Sequence, residues 1–340
     1  MKKKVLCLFL ALICVLSLGL TGCGKPDSAA DSTGGTTTAP TTQPTTVPTT
    51  AAPTEPTPPE FDPKGNKTWA EDGVLKILTI GNSFSNDVMA YVYDIAYAAG
   101  AKSVYLGNLY IGSCDIDKHL KNAAADTAAY TYYTNEIGTF DKVSKYKLSD
   151  AVKSQNWDFI SFQQSSKNSG LPEKYSGLKA LVSIVKSHCT NPKVEFIWHM
   201  TWAYQNDYTG SAFAPYQIDQ MTMYKAIVDS VKTQVFPLED ITRVVPNGTV
   251  MQNIRSSYWG DTITRDGLHL SLPYGRILGG ITMVAATIGI DFDKIDLSEL
   301  HEDEKFIQVA LESVKNAMEN PYEVTQSKIT KYPVYTTHSL

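Results

Sequence analysis

The chain has 340 residues, 43% of them hydrophobic, and a formal net charge of −5. At roughly 150 residues per domain that length suggests two or three domains, but the first part of the chain is too biased in composition to build one. The apolar content, with 22 Gly and 17 Pro, excludes a wholly disordered or fibrous protein, and an acidic chain with no basic cluster beyond Lys2–Lys4 is not expected to bind nucleic acid.

Met1 and three lysines precede Val5–Leu20, a run without charge. As a helix that run would be about 24 Å long, short of a hydrocarbon core of about 30 Å, so it reads as a signal peptide rather than a permanent span. It ends Leu20-Thr21-Gly22-Cys23, which resembles the bacterial lipobox. That resemblance implies lipid attachment at Cys23 and a bacterial cell membrane location facing out of the cytoplasm. The alternative is an ordinary signal peptide with an incidental Cys. Residues 24–68 are rich in Thr and Pro, including Pro40, Pro44, Pro48, Pro53, Pro56, Pro58, Pro59 and Pro63. Such a stretch lacks the apolar side chains needed to offset its ordering entropy, and reads as a disordered, semi-rigid tether. Of the five cysteines, only Cys114 and Cys189 then remain in the domain, and the sequence leaves open whether they bond. No Cys/His spacing suggests zinc, and neither a metal nor a cofactor is implied.

The domain is expected over residues 69–320, with a tail over 321–340. Leu75–Ile80 reads as a buried strand running into a turn at Gly81. Val88–Ala99 has helical spacing, and Ser103–Tyr110 is a second strand. Further along come a helix over Leu148–Gln155, a strand over Trp157–Phe162, a helix over Tyr175–His188 and a strand over Val194–Trp198. A helix over Gln217–Gln234 leads to a weaker strand at Ile241–Val245, which Pro246-Asn247-Gly248 closes. A last helix spans Tyr274–Ile288. Alternation of this kind implies βαβ crossovers: an α/β fold with three α/β/α layers around a central parallel sheet of about five strands. Ligands of such sheets bind beyond the carboxyl ends of the strands. Gly81–Ser85, Gly112–Cys114, Gln163–Ser166 and His199–Trp202 all fall at that edge.

Ser83, in Gly81-Asn82-Ser83-Phe84-Ser85, directly follows a strand in a glycine-containing turn before a helix. Its hydroxyl would stand at the sheet edge with its own N–H aimed at a developing oxyanion; the simpler alternative is a helix cap. In Asp266-Gly267-Leu268-His269, a carboxylate three residues before an imidazole can fix its tautomer and stabilise the imidazolium. Either feature alone is common. In this order they resemble the nucleophile and late blocks of the SGNH (GDSL-type) hydrolase superfamily, in a bacterial branch carrying Gly-Asn-Ser-Phe-Ser and Asp-Gly-Leu-His-Leu-Ser.

The resemblance implies a flavodoxin-like fold, with Ser83 as nucleophile, His269 as general base and Asp266 as its orienter. The oxyanion hole would use the N–H groups of Ser83 and Gly112. The family's asparagine after the third strand is replaced by Gln163-Gln164, either of which can donate in its place, with Asn168 further along. Asn82 stands where the family has Asp and would hold the turn. Trp202 and Tyr204 can form a stacking wall for a sugar or simply pack, and Tyr258-Trp259 carries the same two readings. His199 reads as a packed loop histidine. The expected activity is a serine esterase releasing acetyl or other short acyl groups from carbohydrate or another small ester, anchored to the membrane through its N-terminal lipid. A non-catalytic carbohydrate-binding lipoprotein and an O-acyltransferase with the same nucleophile are the alternatives.

Overall fold

The computed structural model describes residues 72–330. The signal peptide, Cys23 and the whole tether lie outside them, as does the end of the tail. Seven strands form one sheet in the order β4-β3-β2-β1-β5-β6-β7. These are β1 (Val74–Gly81), β2 (Ser103–Tyr110), β3 (Tyr130–Asn135), β4 (Phe140–Tyr146), β5 (Phe159–Phe162), β6 (Glu195–His199) and β7 (Ile241–Val245). Neighbours among β2, β1, β5, β6 and β7 pair in parallel. Taken in chain order those five strands run 2-1-3-4-5, the flavodoxin-like order, in which ligands sit where the order reverses beside the first strand. The three-layer α/β expectation therefore holds.

The central strands read as short apolar runs because both faces are covered. Leu75, Ile77, Leu78 and Ile80 of β1 and all four residues of β5 are buried. Against one face lie helices α1 (Ser83–Met89), α2 (Val92–Ala98), α8 (Tyr274–Thr287) and α9 (Glu304–Glu319); α3 (Ile116–Ala124), α4 (Leu148–Lys153) and α5 (Leu178–His188) pack together on the other. The remaining helices are α6 (Gln220–Ser230), which continues as a π-turn over Val231–Val235, and α7 (Asn247–Arg255).

Several elements depart from the sequence expectation. The helix expected over Val88–Ala99 is two, broken at Ala90-Tyr91, and the first of them begins at Ser83 itself. The sheet has two more strands than expected. Strands β3 and β4 form an antiparallel hairpin on the β2 edge, and β4, exposed along most of its length, carries Lys142 and Lys145, charges that discourage further pairing on an open edge. Pro246-Asn247-Gly248 does close β7, but it also opens α7, which was not expected; a Cβ on Gly248 would lie 2.5 Å from the Thr201 carbonyl oxygen, so only glycine lets the helix approach. Residues 321–330 follow α9 without regular structure yet are tied down, with the Thr325 N–H donating to Asn253 at 2.8 Å. Cys114 and Cys189 are both free thiols. Among the described residues no helix is long and apolar enough to cross a membrane, and no group of His, Cys, Asp or Glu side chains is placed to hold a metal ion.

Candidate active site

The site is built where β1 ends. Asn82 caps α1: its side-chain oxygen accepts from the Phe84 N–H at 3.0 Å, and its amide donates to the Cys114 carbonyl at 3.0 Å. Ser83 is therefore the first helical residue, with its side chain at the carboxyl edge of the sheet. Gly81 leaves room there for the Gln163 and Ser85 side chains, whose oxygens would lie 2.6 and 2.7 Å from a Cβ and would have to shift to admit one.

The opposing wall is a loop closed by the bridge between Thr264 and Leu270 and by the Arg265 N–H donating to the His269 carbonyl at 2.9 Å. Gly267 takes φ +85° at its tip, a left-handed conformation that favours glycine. The turn presents Asp266 and His269 together. His269 Nε2 lies 2.8 Å from Ser83 Oγ, and His269 Nδ1 lies 2.7 Å from Asp266 Oδ2. The other Asp266 oxygen accepts from the backbone N–H of Leu268 (3.1 Å) and of His269 (2.7 Å). Partial burial pulls the Asp266 carboxyl up, but these hydrogen bonds outweigh it and hold the group below the usual carboxylate range. An ionised acceptor on Nδ1 leaves the Nε2 lone pair facing the serine hydroxyl, the arrangement proton abstraction requires.

Ser83 and His269 open into a cavity of about 240 Å³, lined also by Ser113, Ser166, Lys167, Tyr204 and Tyr208. The turn Ile111–Cys114 lies alongside: the Ile111 N–H donates to the Gly81 carbonyl at 3.2 Å and the Cys114 N–H to the Ile111 carbonyl at 3.2 Å. Among the described residues, neither the Ser83 nor the Gly112 N–H has a backbone or side-chain acceptor.

Four expectations are corrected. Gln164 is 1% exposed, and its amide donates to the Lys174 carbonyl at 2.7 Å while its oxygen accepts from Ser165 and Ile116 N–H, so it ties loops together away from the cavity. The Gln163 amide donates to Asn82 at 2.9 Å, which makes it a buttress under the Ser83 turn, outside the cavity lining. Its oxygen faces His199 Nδ1 at 3.2 Å; burial pushes the His199 imidazole down to about 3, so this histidine is neutral and packed. Trp202 is fully buried. Its ring stacks on Phe84 at 4.1 Å, and its Nε1 donates to the Leu268 carbonyl at 2.8 Å, so it braces the Ser83 and His269 walls and offers no face to a sugar. Trp259 packs on Tyr274 and Phe306, remote from the cavity. Asn168 donates to Asp115. Tyr204 does reach the cavity wall, with its hydroxyl 3.0 Å from Ser166 Oγ and its ring edge-on to Tyr208.

Asp87, Arg265 and Arg276 were missed. Asp87 is buried beneath the site and pairs with both arginines. Its signal was present in the sequence: an acid four residues after Ser83, on the same face of the helix.

Fold and site together define a flavodoxin-like α/β protein with a Ser-His-Asp hydrogen-bonded chain at the carboxyl edge of its sheet. The model of the domain of unknown function DUF4886 matches residues 76–317, and the chain belongs to that family. It is similar to the crystal structure of a DUF4886 family protein from Bacteroides uniformis, at 32% identity and a TM-score of 0.71 over 74% of this chain and 98% of that one. Fainter similarity extends to an acetylxylan esterase from Geobacillus stearothermophilus, 14% identical with a TM-score of 0.42 over 64% and 95% of the two chains. A lipase from a goat rumen metagenome is 13% identical with a TM-score of 0.39 over 63% and 98%. No curated protein matches the chain.

Proposed function

We propose that this protein is a serine esterase of the SGNH type, carried outside the cytoplasm on an N-terminal lipid at Cys23, that removes acetyl or other short acyl groups from carbohydrate. The observation that carries the reading is the continuous chain Ser83 Oγ–His269 Nε2–Nδ1–Asp266 Oδ2 at 2.8 and 2.7 Å, opening on a cavity. Ser83 Oγ attacks the ester carbonyl carbon while His269 Nε2 takes the hydroxyl proton. Asp266 stabilises the imidazolium through Nδ1–H. The N–H groups of Ser83 and Gly112 meet the oxyanion of the tetrahedral intermediate. On collapse the alkoxide leaves with the proton from His269, and an acyl-serine remains. Water, deprotonated by the same histidine, then releases the acid and restores the hydroxyl.

Support for a short acyl group on a polyol comes from the cavity's small volume and from its lining, which combines the hydroxyls of Ser113, Ser166 and Tyr204 with Lys167. The Thr/Pro-rich stretch fits a tether that carries the domain toward such a substrate. The test is hydrolysis of p-nitrophenyl acetate, beside Ser83→Ala and His269→Ala. Both variants should fold and lose the acyl burst together with at least about a thousandfold in kcat. Turnover by Ser83→Ala at the wild-type rate would remove the nucleophile assignment and return the domain to the class of binding modules.

A further inference from the structure

Asp87 lies outside the catalytic hydrogen-bonded chain, yet all of its side-chain partners come from the segment that carries His269. It sits one helical turn after Ser83, so the two side chains project from one face of α1. Burying an ionised carboxylate is costly unless it is paired and hydrogen-bonded, and Asp87 is 1% exposed. Arg265 Nη1 donates to both of its oxygens at 3.1 Å. Arg276 donates from Nε at 3.0 Å, with Nη2 2.9 Å away. The Leu270 N–H donates to Oδ2 at 3.0 Å. Arg265 immediately precedes Asp266, Leu270 immediately follows His269, and Arg276 lies in the first turn of α8. Arg265 Nη1 also donates to the Leu270 carbonyl, which closes the network on itself.

We propose that Asp87 is a positioning residue for His269, a role that rests on the Ser83–His269 reading above. The two contacts run as neighbouring rungs: Ser83 Oγ to His269 Nε2 at 2.8 Å, and Asp87 Oδ2 to Leu270 N at 3.0 Å. One turn of helix joins them on one side and a single peptide link on the other. Holding the lower rung therefore fixes the distance across the upper one, the distance to which proton transfer is most sensitive. The two arginines pair with the carboxylate and anchor both ends of the loop to it. The competing role is purely structural, with the same ion pairs knitting α1 to α8 without acting on the imidazole.

The test compares the full chain with Asp87→Asn, which keeps an acceptor for the Leu270 N–H but gives up both ion pairs. Three quantities are read: the melting temperature, kcat and KM on p-nitrophenyl acetate, and the ring-proton resonances of His269, assigned by their loss in His269→Ala. A folded Asn variant should lose about tenfold to a hundredfold in kcat with KM nearly unchanged, and its His269 Nδ1 proton should shift or broaden. A lowered melting temperature with wild-type kcat and an unmoved His269 resonance would overturn the proposal and leave a structural role. If the wild-type protein proves to have no esterase activity, the functional reading fails separately and the His269 resonance alone decides. Should Asp87→Asn not fold, Arg276→Gln removes one ion pair from the half-buried rim. A smaller loss of kcat with the same spectroscopic change upholds the proposal, and wild-type behaviour in both overturns it.

Discussion

The turn that carries Ser83 is held mostly by groups close to it in the chain, with Cys114 and Gln163 adding longer-range bonds to the Asn82 side chain. Asn82 caps Phe84, and Ser85 Oγ and the Asn86 N–H both return to the Asn82 carbonyl, at 2.8 and 3.2 Å. The loop that carries Asp266 and His269 has a few internal bonds, but what places it comes from far away in sequence. Trp202 reaches the Leu268 carbonyl, the Gln205 N–H donates to the Gly267 carbonyl at 2.8 Å, and Asp87 holds Leu270. Ser83 is thus placed chiefly by local chemistry, whereas His269 is placed chiefly by tertiary packing. Damage elsewhere in the molecule should therefore reach His269 before it reaches Ser83.

The largest effect that sharpens this contrast is Asp266→Asn. The variant's side-chain oxygen still accepts from the Leu268 and His269 N–H groups, so the loop keeps its shape. Its amide nitrogen, however, faces His269 Nδ1 and selects the wrong tautomer. Activity on p-nitrophenyl acetate should fall on the order of 10⁴-fold in kcat while the melting temperature moves little. A drop of only a few-fold would mean that Asp266 shapes the loop without orienting the base.

A middling effect is expected for Trp202→Phe. The ring still stacks on Phe84, which leaves the nucleophile side intact, but the hydrogen bond to the Leu268 carbonyl is lost. Denaturant titration should show a loss of about 1–2 kcal/mol, and kcat should fall roughly tenfold through looser placement of His269. Equal kcat in variant and wild type would break the claim that long-range contacts set the base.

The smallest effect on activity is expected at the opposite end of the sheet. Burial pushes the Asp158 carboxyl up to about 6, against a hydrogen bond from the Lys76 N–H at 2.8 Å. A carboxyl that holds its proton more tightly when folded favours the folded state at low pH. That advantage is lost as pH rises from the ordinary carboxylate value through the folded one. Asp158→Asn keeps an acceptor and removes the charge, so it should match wild type below about pH 4 and exceed it by about 1–2 kcal/mol above pH 6, the effect being reduced by solvent screening at this half-buried group. Its kcat should equal that of wild type, since the change lies at the amino ends of the strands. Stability curves of the two proteins between pH 4 and pH 8 check the sign.

The same contrast explains what the sequence disclosed. The parallel core was legible because β1, β5 and β6 are short apolar runs bounded by polar or turn residues, and the Ser83 turn because most of its determinants lie within five residues. Asp266 and His269 were legible as a pair for the same reason. The hairpin over Tyr130–Asn135 and Phe140–Tyr146 was missed because its strands mix Thr, Tyr and Lys and bury little on the β4 side. Helix α7 was missed because Pro-Asn-Gly is a turn signal, overridden here by the contact of Gly248 with Thr201. Gln163, Gln164 and Trp202 lie at the right sheet edge, but no local pattern reveals that their polar atoms are already bonded to Asn82, Lys174 and Leu268. Asp87 shows the reverse: its position in α1 is local, while its partners lie about 180 residues away.

The central claim is that Ser83, activated by His269, forms a covalent bond to the acyl group. The most direct measurement is peptide mass spectrometry after exposure to a fluorophosphonate, which a serine nucleophile attacks at phosphorus with loss of fluoride. The expected result is a single phosphonyl adduct on Ser83 in the wild-type protein, lost in Ser83→Ala and strongly slowed in His269→Ala. An adduct on Ser85 or Ser113 instead, or an unmodified Ser83 in a protein that still hydrolyses esters, would contradict it.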